Sequence, residues 1–191
     1  MEDQLSPEDR SLLLQLARQA IEGAVRGTYP QPIDLNQLPE PLRQPGATFV
    51  TLTISGELRG CIGALEAYQP LAEDVRDHAV AAALEDYRFP PVSPQEVNQL
   101  EIEISRLTPP QALAYRTPDE LLTSLRPGID GVILRDGLHR ATFLPQVWDK
   151  LPDPVDFLDH LCAKMGARTD LWREKPLQVF TYQVEEFREV S

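Results

Sequence analysis

Cysteine and histidine are scarce, with two of one and three of the other in 191 residues. Cys61 and Cys162 could close at most one disulfide, and a chain of this size does not need one in a reducing compartment, so both thiols are expected to be free. His78, His139 and His160 show no metal-ligand spacing with one another or with a cysteine pair, so no built-in metal site is expected. The chain also lacks a glycine-rich phosphate loop, a Ser-His-Asp signature and a cysteine cluster for iron–sulfur. With none of these, the chain is expected to hold no cofactor and no redox machinery of its own. Basic residues are few, 18 against 30 acidic, and the net charge of -12 argues against binding nucleic acid or an anionic membrane. No apolar run approaches the length that spans a bilayer. The opening Met1-Glu2-Asp3-Gln4 lacks the positive start of a signal peptide, and the expectation is a cytoplasmic protein.

What remains is a composition that folds: 42% hydrophobic and 25% charged residues, enough for one substantial core plus a small appended lobe. One local signature recurs four times, a capping side chain followed by proline and then acid: Ser6-Pro7-Glu8, Ser93-Pro94-Gln95-Glu96, Thr117-Pro118-Asp119 and Asp153-Pro154-Val155-Asp156. Each reads as a helix start or a capped turn. Leu12, Leu13, Leu16, Ala20 and Ala24 predict a first helix ending near Gly27, and prolines between residues 28 and 46 predict a connector. A helix over 71–85 is expected from Leu71, Val75, Ala79 and Ala82. Another, beginning at Pro154, carries Phe157, Leu158, Leu161, Cys162 and Met165 on one stripe. Thr48 to Ile54, Leu100 to Ile104, Val132 to Leu134, His139 to Phe143 and Leu177 to Val184 read as strands, the last able to return to the sheet begun near Thr48. The class is α+β: a largely antiparallel sheet with flanking helices, a larger lobe built from both ends of the chain and any smaller lobe inserted in it.

The most unusual stretch is Leu58-Arg59-Gly60-Cys61-Ile62-Gly63, which follows a turn at Ser55-Gly56. Strand alternation puts Arg59 and Cys61 on one face and Leu58, Gly60 and Ile62 on the other, facing the core. Gly60 and Gly63 weaken a strand and mark places where a backbone or a ligand comes close. Cys61 has two readings: a small thiol packed beside a glycine turn, or a thiolate held by a neighbouring cation. Arg59 would lie ~7 Å away along the strand and attract a thiolate by ~2 kcal/mol at an effective dielectric of ~20, about a quarter of that in open water. Arg59 can therefore serve Cys61 only in a partly enclosed site. The three histidines are the candidate bases, and nothing in the sequence brings one to Cys61.

Glu85, Asp86 and Arg88 cluster at a predicted helix end, either as an ion-paired terminus or facing the Cys61 surface, with Asp86 orienting Arg59 or accepting a ligand proton. Gln146, after Pro145, is either part of a helix start or a ligand-binding amide. The catalytic candidates are thus Cys61 and Arg59, and the binding candidates are Gly60, Gly63, Asp86, Arg88 and Gln146.

These residues resemble the AMMECR family, whose prokaryotic members are called AmmeMemoRadiSam system protein A. The hexapeptide 58–63 is the family's signature, supported by Asp86, Arg88 and Phe89, by Gly131-Val132-Ile133-Leu134, by Phe143-Leu144-Pro145-Gln146-Val147, and by Lys164 with Gly166. Tyr87, where proline is frequent, and Lys164-Met165-Gly166-Ala167, where Lys-Ala-Gly-Leu is usual, are departures. The resemblance runs from about residue 8 to residue 188 and implies a single AMMECR-type domain over 1–191, with a larger and a smaller lobe. It further implies a radical S-adenosylmethionine protein and a Memo-type protein as neighbours. Two functions follow as expectations: an enzyme or enzyme component working with those partners on a small-molecule substrate, or a non-catalytic module in which the hexapeptide shapes a groove.

Overall fold

Alternating apolar and β-branched residues from Pro45 to Ile54 form strand β1, which turns back across Ser55-Gly56 into β2 (Glu57–Gly63) as an antiparallel hairpin. Ser55 and Gly56 both take positive φ, 52° and 82°, the handedness that lets a two-residue turn follow the twist of its strands. The computed structural model describes residues 4–28 and 31–189. Positions 1–3 of the opening segment and 29–30 of the proline connector lie outside the described residues.

The chain divides into two compact units, one made of the residues up to Leu107 together with those from Glu185 onward, the other of Thr108–Val184. In the first, β1 also pairs antiparallel with β4 (Glu101–Leu107), and β9 (Val184–Arg188) lies beyond β4, giving the order β2-β1-β4-β9. A two-residue strand, β3 (Gln69–Pro70), adds to β1 near Gly46. Helices α1 (Pro7–Val25) and α3 (Leu71–Leu84) are built into the same core, and a short α2 (Glu40–Arg43) adds Leu42 to it. Ser6 starts α1 through a capping box with Asp9. The stripe α1 buries is Leu13, Ala17, Ala20 and Ile21, while Leu12, Leu16 and Ala24 are half-buried, a small rotation from the expected face. With Val50 and Leu52 of β1, Val75, Ala79 and Ala82 of α3, and Ile102 and Ile104 of β4 they form one cluster, in which a fully buried Leu or Ile contributes about 1.5–3 kcal/mol.

In the second unit, β5 (Gln111–Ala112), β6 (Gly131–Asp136), β7 (His139–Phe143) and β8 (Gln178–Tyr182) form a sheet of order β5-β8-β6-β7, all neighbours antiparallel. Thr117 and Asp153 cap α4 (Pro118–Ser124) and α5 (Pro154–Lys164), as the repeated signature predicts, and a short α6 (Leu171–Glu174) follows. The α5 stripe is buried, Cys162 included, and Phe157 stacks on Trp148 with ring centroids 3.7 Å apart. The fold is α+β with two open, largely antiparallel sheets.

One sequence expectation needs correction. The last apolar run is not one strand: it breaks at Gln183, with β8 in the second sheet and β9 in the first. The pair Thr108 and Gln183 marks this crossing, since the Thr108 N–H donates to the Gln183 carbonyl and the Gln183 N–H to Thr108 Oγ1. Of the two readings of the Ser93 signature, helix start and capped turn, the structure has the capped turn. Glu96 bends back to accept the Ser93 N–H and hydroxyl, and only one 3-10 turn, Val97–Gln99, follows.

Candidate functional site

The hairpin register carries an irregularity that sequence alternation cannot show. Ile54 opposes Glu57 and Thr53 opposes Leu58, but Leu52 opposes Gly60 and Thr51 opposes Cys61, so Arg59 is an extra residue in a β-bulge. Leu58 thereby joins Thr53 on the face away from the core and is 41% exposed, instead of packing inward with Gly60 and Ile62. Gly60 does face α3, and closely: a Cβ there would stand 2.1 Å from the Ala82 carbonyl oxygen. A Cβ on Gly63 would stand 2.4 Å from the Thr48 carbonyl oxygen. Both glycines are needed for backbone approach, one of the two meanings the sequence allowed them.

Cys61 is half-buried on the outermost strand of its sheet, and every polar group it carries is held. Its N–H donates to Asp86 Oδ2 at 2.9 Å, and its carbonyl accepts from Arg88 Nη2 at 3.3 Å. These two side chains occupy the backbone groups that a further strand would otherwise pair. Asp86 and Arg88 also bind each other through Nε to Oδ1 at 2.9 Å and Nη2 to Oδ2 at 2.7 Å, a two-point guanidinium–carboxylate pair. Opposite Cys61, Thr51 Oγ1 donates to Sγ at 3.3 Å. The Arg88 hydrogen bond, followed by the N–H groups of Cys61 and Arg88, outweighs burial and holds the Asp86 carboxyl well below the usual carboxylate range. Asp86 in return pushes the Arg88 guanidinium up, and a Cys61 thiolate adds to that push.

Arg59 is engaged elsewhere. Its Nε and Nη2 donate to Glu96 at 2.8 and 3.1 Å, and its Nη1 donates to the Pro90 carbonyl at 2.9 Å. Arg59 and the Ser93 N–H hold the Glu96 carboxyl down to about 2. The acid expected to orient Arg59, Asp86, is therefore replaced in that role by Glu96, and the cation bonded to Cys61 is Arg88.

The only histidine of the first unit, His78, lies on α3, with Nδ1 3.1 Å from Asp74 Oδ2, an oxygen that also accepts the N–H and hydroxyl of Thr48. Thr48 and Thr51 alternate on β1, so this buried group sits across the sheet from the thiol. His139 and His160 are in the second unit and exposed, His160 with Nδ1 against the Asp156 carbonyl. Gln146 is exposed in the 3-10 turn Pro145–Asp149 of the second unit. Among the described residues, no three His, Cys, Asp or Glu side chains gather as metal ligands, and no helix is long and apolar enough to cross a membrane. Thr51 and Glu96 are the site members that sequence reasoning did not select. Glu96 was visible as a capping acid, and Thr51 as one of the residues alternating with the apolar face of β1.

Three comparisons bear on this arrangement. The AMMECR1 family model matches residues 14–187. A protein of Thermofilum pendens is 40% identical over 200 residues, covering 98% of this chain and 92% of the relative. One from Methanothermobacter thermautotrophicus is 37% identical over 186 residues, covering 97% and 96%. The crystal structure of an uncharacterized protein from Pyrococcus horikoshii superposes with a TM-score of 0.76 at 33% identity, covering 97% of this chain and 93% of that one.

Proposed function

The chain belongs to the AMMECR1 family, and from that premise we propose that it is an enzyme or enzyme component whose working group is the Cys61 thiol. The observation that carries this reading is the way Cys61 is held: a half-buried cysteine on an edge strand, with its backbone clamped by Asp86 and Arg88 and its sulfur facing the Thr51 hydroxyl. The thiolate is the form of a cysteine that attacks an electrophile, and here the sulfur sits between the strand of Thr51 and the side chain that holds its own carbonyl. Cys61 is the nucleophile or substrate tether, Arg88 and Asp86 fix and polarise it, and Arg59 anchors the 90–96 loop through Glu96 and Pro90. Gly60 and Gly63 allow the strand to lie against its neighbours, and Gln146 is kept as a ligand contact on the family resemblance alone.

The same resemblance supports a radical S-adenosylmethionine protein and a Memo-type protein as partners, which would bring the redox chemistry that this sequence lacks. The family match extends across both units, which supports treating them as one AMMECR-type domain. The two free cysteines and the acidic composition support a cytoplasmic setting.

A second reading has its own observation. Asp86, Arg59 and Glu96 all spend their charges on internal bonds, as they would in a binding module whose cysteine only packs. Replacing the chromosomal gene with Cys61→Ser, and capturing the tagged protein from the same cells, separates the two. The enzyme reading expects loss of the gene's phenotype with partner capture retained. Full function in the Cys61→Ser strain would overturn it and leave the binding module.

A further inference from the structure

Arg88 does more than clamp its neighbour. Of its guanidinium nitrogens, Nε and Nη2 are taken by Asp86, and Nη2 also by the Cys61 carbonyl; among the described residues Nη1 has no partner. The side chain is 45% exposed, in contrast to Asp86 beneath it at 3%. Both Asp86 oxygens are occupied, by Arg88 and by the Cys61 N–H, so no further charge of that carboxylate is turned toward Nη1. The guanidinium is held by these bonds, with its carbon 5.6 Å from the centroid of the Phe89 ring, which leaves the Nη1 edge over, on a partly exposed side chain bonded to the Cys61 carbonyl. A fixed guanidinium edge is suited to an oxyanion.

We propose that this edge of Arg88 is an anion subsite of the Cys61 site, so that the small molecule meeting the thiol carries a carboxylate or similar oxyanion beside its electrophilic carbon. The inference rests on the proposed role of Cys61 and adds the charge of its substrate. It runs against the protein's overall field, because a net charge of -12 repels anions from the surface in general. A local preference for an anion is therefore a specific sign.

Iodoacetate and iodoacetamide test it, since they share the reacting carbon and differ in a carboxylate against a neutral amide. In both, the thiolate electron pair forms the S–C bond, iodide leaves with the C–I pair, and the thiol proton has passed to buffer. The ratio of the two rates at Cys61, read by peptide mass mapping, is independent of the thiolate fraction, so a change in thiol acidity cancels. The expected result is an iodoacetate to iodoacetamide ratio that falls about tenfold in Arg88→Gln, the order of factor that one nearby unit charge supplies at a partly exposed site. Should Arg88→Gln not fold, salt gives the same answer on the native protein. Raising sodium chloride should lower the ratio if a local cation attracts the reagent, and raise it if only the general negative field acts. A ratio that is unchanged in Arg88→Gln, or that rises with salt, overturns the anion subsite while leaving the thiol role standing. If neither reagent modifies Cys61 in the native protein, the thiol role itself fails, and the subsite with it.

Discussion

Gly60→Ala separates the packing account from simple strand propensity because the two predict opposite signs. Gly60 sits in a strand, and alanine in its place would ordinarily help by about 0.4–1 kcal/mol through a less flexible unfolded chain. The structure allows no such gain. The added methyl would lie 2.1 Å from the Ala82 carbonyl oxygen and 3.1 Å from its carbon, both backbone atoms that no rotamer change can move aside. Restoring ordinary contact, about 3.5 Å, requires α3 and β2 to part by more than 1 Å, against the close packing of the core built from Ala79, Ala82 and Ala83. Overpacking of this kind costs about 1–3 kcal/mol, and the absence of a side-chain escape places Gly60→Ala near 3. With a urea dependence of about 2 kcal/mol per molar, the midpoint of the first unit should drop by about 1.5 M. The assay must be far-UV circular dichroism, because Trp148 and Trp172 both lie in the second unit and their fluorescence follows that unit. A Gly60→Ala protein as stable as the parent, or more so, would refute the reasoning.

Thr51→Val removes the hydroxyl that faces Cys61 Sγ while keeping shape, and should slow iodoacetamide modification of Cys61 at neutral pH about fivefold, the worth of about 1 kcal/mol of hydrogen bonding; an unchanged rate would count against that contact. Acid should weaken the first unit in a defined window. Glu96 is depressed from 4.5 to about 2 in the folded protein, so its contribution is complete above about pH 4.5 and is lost as pH falls toward 2, and Asp86, also depressed, acts in the same direction. Urea midpoints by circular dichroism should fall through that window, with a shallower fall in Glu96→Gln, and an identical slope in the variant would contradict the assignment. Asp153→Ala removes the cap that accepts the Val155 and Asp156 N–H groups, and should cost the second unit about 1 kcal/mol, read by tryptophan fluorescence in urea; a cost near zero would show that water replaces the cap.

Much of this fold is legible in the sequence because its signals are local. The Ser6, Thr117 and Asp153 caps, the apolar stripe of α5 and the Ser55-Gly56 hairpin all depend on neighbours within a few residues. The site was legible as a place, through a thiol between two glycines, but its wiring was not. A single extra residue at Arg59 shifts the register so that Thr51, instead of facing Gly60, faces Cys61, and it turns Leu58 out to solvent. Nothing in the residue pattern fixes where a bulge falls, since alternation is equally well satisfied on either side of it. The pairing of Arg59 with Glu96 spans 37 positions and that of Asp86 with Cys61 spans 25, and which acid meets which base over such distances is decided by tertiary packing. The split of the last apolar run at Gln183 has the same origin, because its two halves pair with strands from different parts of the chain.

The central claim is that Cys61 is a held and activated thiol, and its most direct test is the rate at which iodoacetamide modifies it in the native protein against the urea-unfolded chain at one pH. The account predicts faster modification at Cys61 in the folded state, where Thr51 and Arg88 flank it, while the buried Cys162 is protected until the second unit unfolds. A Cys61 that reacts more slowly folded than unfolded would contradict it, and would leave the cysteine as packing.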